Sequence, residues 1–163
     1  MGSDGTDGTG GTLDTVRTEG FDHVTVVVAD LEEARRFFGL LGFRERLAVV
    51  AKGEEIAAYM GIEDWEADHV TLELEGGSVH QEVQLLRFHR PSALPDEGAG
   101  NLARLGFNHV CFRVADLDAT LAHLAAHGVS PRNQLMDFHD RRLVFLDGPG
   151  IVVELAEWVQ SPS

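Results

Sequence analysis

One strand-plus-helix pattern occurs twice in this chain, 86 residues apart. FDHVTVVVADLEEARRFFGLLGF starts at Phe21, FNHVCFRVADLDATLAHLAAHGV starts at Phe107, and the two align over 23 positions without a gap. Phe21 pairs with Phe107, His23 with His109, Val24 with Val110, and Gly42 with Gly128. Val28-Ala29-Asp30-Leu31 pairs with Val114-Ala115-Asp116-Leu117. Such a repeat means that one supersecondary unit is used twice and that the copies bury surface together. A histidine kept at one strand position of both copies, among apolar neighbours, points to a site that the two share.

Each copy opens with residues alternating at the period of a strand. Val24, Val26 and Val28 share one face and Phe21, His23, Thr25 and Val27 the other. In the second copy Val110, Phe112 and Val114 oppose Phe107, His109, Cys111 and Arg113. A helix is predicted next in both. Asp30 is an N-cap with Glu33 three residues on, the pattern of a capping box, and Asp116 is the equivalent cap. Gly42 and Gly128 stand just past the helix ends, where a left-handed residue is wanted. Leu117, Leu121 and Leu124 form one apolar stripe, and Leu31, Ala34, Phe37, Phe38 and Leu41 the other.

Strand-rich sequence follows each helix: RERLAVVAKG, HVTLELEGG and HQEVQLLRF in the first copy, PRNQLMDF, RRLVFLD and IVVELAEW in the second. The last two segments of each read as a hairpin about a glycine-containing turn. The expected fold is therefore α+β, two tandem βαβββ modules. The predicted layout is a disordered tail over 1–18, a first module over 19–90, a linker over 91–106 and a second module over 107–160. In the last strands VQLLRF and VELAEW match by pattern and set Gln84 against Glu154. Both should point away from the helix layer, as His23 and His109 do.

Composition narrows the classes. The tail is rich in Gly, Thr and Asp and poor in apolar residues, so it cannot offset the entropy of ordering. It also lacks the apolar stretch of a secretory signal. No run of 18 apolar residues exists to cross a bilayer, so no membrane association is expected. A net charge of −14 with no basic stripe argues against nucleic acid. Cys111 is the only cysteine, which excludes an internal disulfide and suits a cytoplasmic protein.

FDHVTVVVADLEEA, FNHVCFRVADLDAT and GIVVELAEW resemble the vicinal oxygen chelate superfamily, which includes glyoxalase I, methylmalonyl-CoA epimerase, extradiol dioxygenases and fosfomycin and bleomycin resistance proteins. The resemblance spans about residues 20 to 160. It implies curved mixed sheets that enclose a cleft holding one metal ion, with ligands from the first and last strands of each module: His23, Gln84, His109 and Glu154. That set is most similar to the epimerase branch and close to the glyoxalase branch. A homodimer is implied as well. A second-strand glutamate acts as base in the epimerase branch, and the comparable place here falls near Val49, which carries no proton.

The donor chemistry agrees with that set. Two imidazoles, an amide oxygen and a carboxylate suit Zn, Ni, Co, Mn or Fe(II) without an organic cofactor. With one anionic ligand the ion stays positive and acts as a Lewis acid on a carbonyl, stabilising an enediolate. Glu154 is then both ligand and candidate base. Glu82 shares a face with Gln84 two residues earlier and is the alternative fourth ligand. Cys111 faces the cleft by parity, either touching the metal or filling space. Arg113 is a candidate for holding a substrate carboxylate, and Arg142 a weaker one. His69, His89, His123, His127 and His139 fall in no repeated pattern. His23 and Gln84 lie 61 residues apart, His109 and Glu154 only 45, so residues 50–80 hold an insertion. It is expected to form a loop or short helix over the cleft, with Tyr59, Met60 and Trp65 lining an apolar pocket.

Three functions follow. The first is a divalent-metal isomerase, epimerase or lyase acting on a small oxygenated metabolite. The second is Fe(II)-dependent extradiol ring cleavage, which needs only two histidines and a glutamate. The third is a non-enzymatic binder of a drug or natural product.

Overall fold

A computed structural model describes residues 18–159. The expected tail falls, for residues 1–17, outside that range. The first module runs β1 (His23–Val27), α1 (Leu31–Leu40), β2 (Phe43–Lys52), α2 (Glu54–Met60), β3 (Glu66–Leu74) and β4 (Glu82–Arg90). The second runs β5 (Val110–Val114), α3 (Leu117–Ala126), β6 (Met136–Phe138), β7 (Arg141–Gly148) and β8 (Ile151–Trp158). Neither helix nor strand occurs from 91 to 109. The sheets repeat one topology, β1-β4-β3-β2 and β5-β8-β7-β6, with the first strand of each module parallel to the last and at the sheet edge.

Both aspartates cap their helices as read, but among the described residues the Glu33 side chain makes no return bond to the Asp30 amide. Asp30 Oδ1 accepts from the amides of Glu32 and Glu33 at 2.8 and 3.1 Å, satisfying donors that the first turn leaves unpaired. Asp116 Oδ1 does the same for Ala119 at 2.8 Å. Two segments differ from expectation. β3 begins at Glu66, ahead of His69, and β6 is only three residues long.

One core spans both modules. Val26, Phe37, Phe38, Phe43, Val83 and Leu85 of the first join Leu117, Leu124, Val144, Leu146, Val153 and Leu155 of the second. Phe43 and Phe112 meet across the seam with ring centroids 5.2 Å apart. An Arg36 guanidinium on α1 donates to the His127 carbonyl at the end of α3. The helix-facing sides of both sheets are thus used up by packing, which leaves the opposite faces for a site.

A second, smaller cluster lies on that opposite face of the first sheet. Trp65 packs there with Ala67, Leu86, Ala51, Ile56, Met60 and Phe88. The insertion folds as the short helix α2 and seals this end of the sheet.

Candidate metal centre

Strand register puts the repeated residues in equivalent places. On β1 and β4, Thr25 stands beside Gln84, and on β5 and β8, Cys111 stands beside Glu154. Thr25 and Cys111 are themselves equivalent, each two residues after its histidine. Residues directly opposite in a ladder share a face. Thr71 and His69 of β3 therefore join Gln84 and Leu86, and Phe145 and Leu143 of β7 join Glu154 and Ala156.

In the second module His109 Nε2 approaches Glu154 Oε2 at 3.3 Å, and the His109 ring meets the Phe145 ring edge-on at 5.0 Å. Glu154 is only 14% exposed. Cys111 stands directly across the ladder from Glu154. Burial first, then the neighbouring Glu154 carboxylate, push the thiol up to about 12, against an opposing pull from Arg141. Cys111 thus stays a neutral thiol beside the acid.

In the first module Gln84 is held from three sides. Its Nε2 donates to Glu82 Oε1 at 2.6 Å, and its Oε1 lies 3.4 Å from Thr25 Oγ1 and 3.2 Å from His69 Nε2. Glu82 is occupied on its other oxygen by His80 Nε2 at 3.3 Å. His69 fell in no sequence repeat. Its signal was strand parity relative to Gln84, legible only once β3 and β4 are paired. It also stands directly across from Val49, the position that lacks a base.

The two repeated histidines are oriented alike. His23 Nδ1 bonds Asp22 Oδ1 at 2.5 Å, and His109 Nδ1 bonds Asn108 Oδ1 at 2.7 Å. Among the described residues neither Nε2 carries a hydrogen bond, and no group of three or more His, Cys, Asp and Glu side chains stands ready-made around one point. Of the expected four ligands, His109 and Glu154 come together, whereas the contacts of His23 and Gln84 among the described residues are with Asp22 and with Thr25, His69 and Glu82. The donors suit a divalent ion in kind: two imidazoles tied through Nδ1, an amide oxygen and a shielded carboxylate.

Three expectations need correction. Trp65 is 3% exposed and sealed under α2, with no partner for its indole N–H, so it is core and lines no open pocket. Tyr59 points the other way, 84% exposed to solvent. Arg142 faces the helix layer, where Asp118 at 2.8 Å and Glu157 at 3.0 Å hold it, because Leu143 and Phe145 take the opposite parity. Arg113 remains on the site face. Its guanidinium lies 5.7 Å from the Trp158 ring centre, and Arg141 lies 4.3 Å from the same ring. Among the described residues no helix is long and apolar enough to cross a membrane.

Comparison with known proteins fits this architecture. The chain is 27% identical over 138 residues to the uncharacterized protein YaeR of Escherichia coli K12, covering 83% of this chain and 93% of that one. A glyoxalase family protein from Bacillus cereus superposes with a TM-score of 0.80 at 24% identity, over 91% of this chain and all of that one. TnmS3, an antibiotic binding protein from Streptomyces sp. CB03234, superposes with a TM-score of 0.57 at 18% identity, over 88% and 99% of the two chains. Residues 22–145 match the model of one family, and the chain belongs to it: the glyoxalase/bleomycin resistance protein/dioxygenase superfamily.

Proposed function

We propose that this chain is a divalent-metal-dependent isomerase, epimerase or lyase acting on a small oxygenated metabolite. The observation that carries the reading is the register that sets Gln84 beside Thr25 and Glu154 beside Cys111, at equivalent places two residues beyond a repeated histidine. Core packing does not call for polar groups there, because the helix-facing side of each strand supplies the core.

His23, Gln84, His109 and Glu154 would hold the ion, and a divalent ion there supplies Lewis acidity toward a carbonyl. Glu154 takes and returns the proton on the adjacent carbon, as a shielded carboxylate standing beside His109 and Cys111. His69 and Thr25 both meet Gln84 Oε1, so one of these bonds gives way when that oxygen turns to the ion. Arg113 and Arg141, stacked at Trp158, give an otherwise acidic chain a cationic patch for an anionic group of the substrate.

Metal analysis of the purified protein tests this, with His23→Ala and His109→Ala alongside. Near-stoichiometric metal in the natural sequence, lost in both variants, is expected. Full metal content surviving both substitutions defeats the assignment.

One observation favours a second reading, a binder of an apolar natural product. Leu47 and Val49 of the first module and Met136, Phe138 and Trp158 of the second are all exposed large apolar side chains. Tight binding of such compounds by metal-stripped protein, with no turnover of carbonyl substrates, would favour the binder.

A further inference from the structure

Each repeated histidine is preceded by a residue whose side-chain oxygen meets its Nδ1: Asp22 at 2.5 Å and Asn108 at 2.7 Å. A carboxylate only accepts, so His23 must carry its proton on Nδ1 when neutral. An amide could in principle present either end to His109. Here Asn108 Nδ2 donates to the Leu102 carbonyl at 2.6 Å, which turns Oδ1 toward the imidazole and forces the same tautomer. Two chemically different residues, at the same step of the repeat, reach one outcome.

The outcome has an electrostatic consequence in the second module. With the proton on Nδ1, the lone pair of His109 Nε2 faces Glu154 Oε2 at 3.3 Å. Two electron-rich atoms this close, in a place only 30% and 14% exposed, are relieved either by a second proton on the imidazole or by a bound cation, and the measurement below is made where the imidazole is neutral. We propose that Asp22 and Asn108 are positioning residues that lock both imidazoles as the Nδ1–H tautomer and present both Nε2 lone pairs to the metal ion; the last step rests on the metal reading above. Such outer partners also raise the basicity of the ligating nitrogen. Asp22 is 81% exposed and shares its oxygens with water, whereas Asn108 is pinned by a second bond. Loss of Asn108 is therefore the larger effect.

The test has two arms on the full-length protein. Long-range ¹⁵N–¹H correlation spectra of the metal-free protein at a pH where the imidazoles are neutral read the tautomers directly. Both His23 and His109 should show the Nδ1–H pattern, and each should lose it only in its own variant, Asp22→Ala or Asn108→Ala. Competition between protein and a chelator for Co(II) reads affinity, with the visible Co(II) absorption reporting coordination. Affinity should fall about 10-fold in Asp22→Ala and nearer 100-fold in Asn108→Ala. Asp22→Asn and Asn108→Asp keep the acceptor oxygen and should keep most of the affinity. Asn108→Asp also gives up the bond to Leu102, so it separates tautomer control from support of the linker. Nε2–H tautomers in the natural protein, or alanine variants that bind Co(II) unchanged, would overturn the proposal. If the natural protein takes up no Co(II), the metal reading falls instead, and the ¹⁵N spectra alone decide whether Asp22 and Asn108 set the tautomers.

Discussion

Gly150 sits in the β7–β8 turn, with φ at +72°, where the second module touches the first. A Cβ at this position would come 2.8 Å from the Val27 carbonyl oxygen and 3.2 Å from Val26 Cγ1. The first contact is with backbone of an edge strand, so no rotamer change relieves it. Gly150→Ala thus carries two costs. Holding an L-residue in the left-handed region costs about 1–2 kcal/mol, and forcing the turn away from β1 costs about 1–3 kcal/mol more. Gly128→Ala is the control: its φ is +79°, but nothing lies within 4 Å of the added atom. Only the first cost applies there. Urea unfolding of both variants should therefore show Gly150→Ala the less stable of the two by about 1–3 kcal/mol. In heat denaturation that difference is roughly 2–12 °C for a chain of this size. Equal stability of the two variants would refute the claim that this turn is wedged against β1.

The remaining predictions concern the core, a cap and one ion pair. Phe38 is fully buried, with Phe37 and Phe43 at centroid distances of 5.3 and 6.0 Å, so Phe38→Ala should cost about 3–5 kcal/mol in denaturant unfolding. A loss below about 1 kcal/mol would show that the shared core does not depend on it. Asp116→Ala removes the bond to Ala119 and should cost about 1 kcal/mol in the same assay, and Asp116→Asn should restore most of it. His89 lies 2.9 Å from Asp68 and 3.2 Å from Glu66; its bond to Asp68 raises its pKa above 6.5, and the bond to His89 lowers that of Asp68 below 3.8. A raised histidine stabilises fully below its ordinary pKa and loses that contribution as pH rises through its folded value. A lowered aspartate contributes above its ordinary pKa and loses that as pH falls through its folded value. The pair thus helps most between about pH 4 and pH 6.5. An NMR titration should place His89 above 6.5, with Asp68→Asn moving it down; a midpoint at or below 6.5 in the natural protein would contradict the pair.

Modules, caps and strand faces were readable from the chain because each depends on neighbours a few residues away. Alternation at β1 and β5 separates His23 from Val24 and His109 from Val110 through backbone geometry alone. Asp30 and Asp116 bond amides two or three residues on. The repeat extends that local logic to His23 and His109, and a shared pattern in the last strands adds Gln84 and Glu154. Arg142 escaped it because a slip in strand parity exchanges faces, and the parity of β7 is fixed by its pairing with β8. The insertion escaped it in another way. Trp65 and Tyr59 are only six residues apart, yet one is sealed and the other bare, which depends on how α2 docks on the sheet.

What the residues determined unaided was the kind of unit, its duplication and the donors each copy offers, since those follow from periodicities of two and 3.6 and from short-range hydrogen bonds. Only the tertiary structure decided that His69 meets Gln84, that His109 and Glu154 come within 3.3 Å, and that Leu102 orients the asparagine beside His109. The first joins two strands, the second brings the residue ahead of β5 against β8, and the third bends the segment ahead of β5 back on itself. Their geometry is set by sheet register and by the packing of two modules over one core, quantities that no short window of sequence contains.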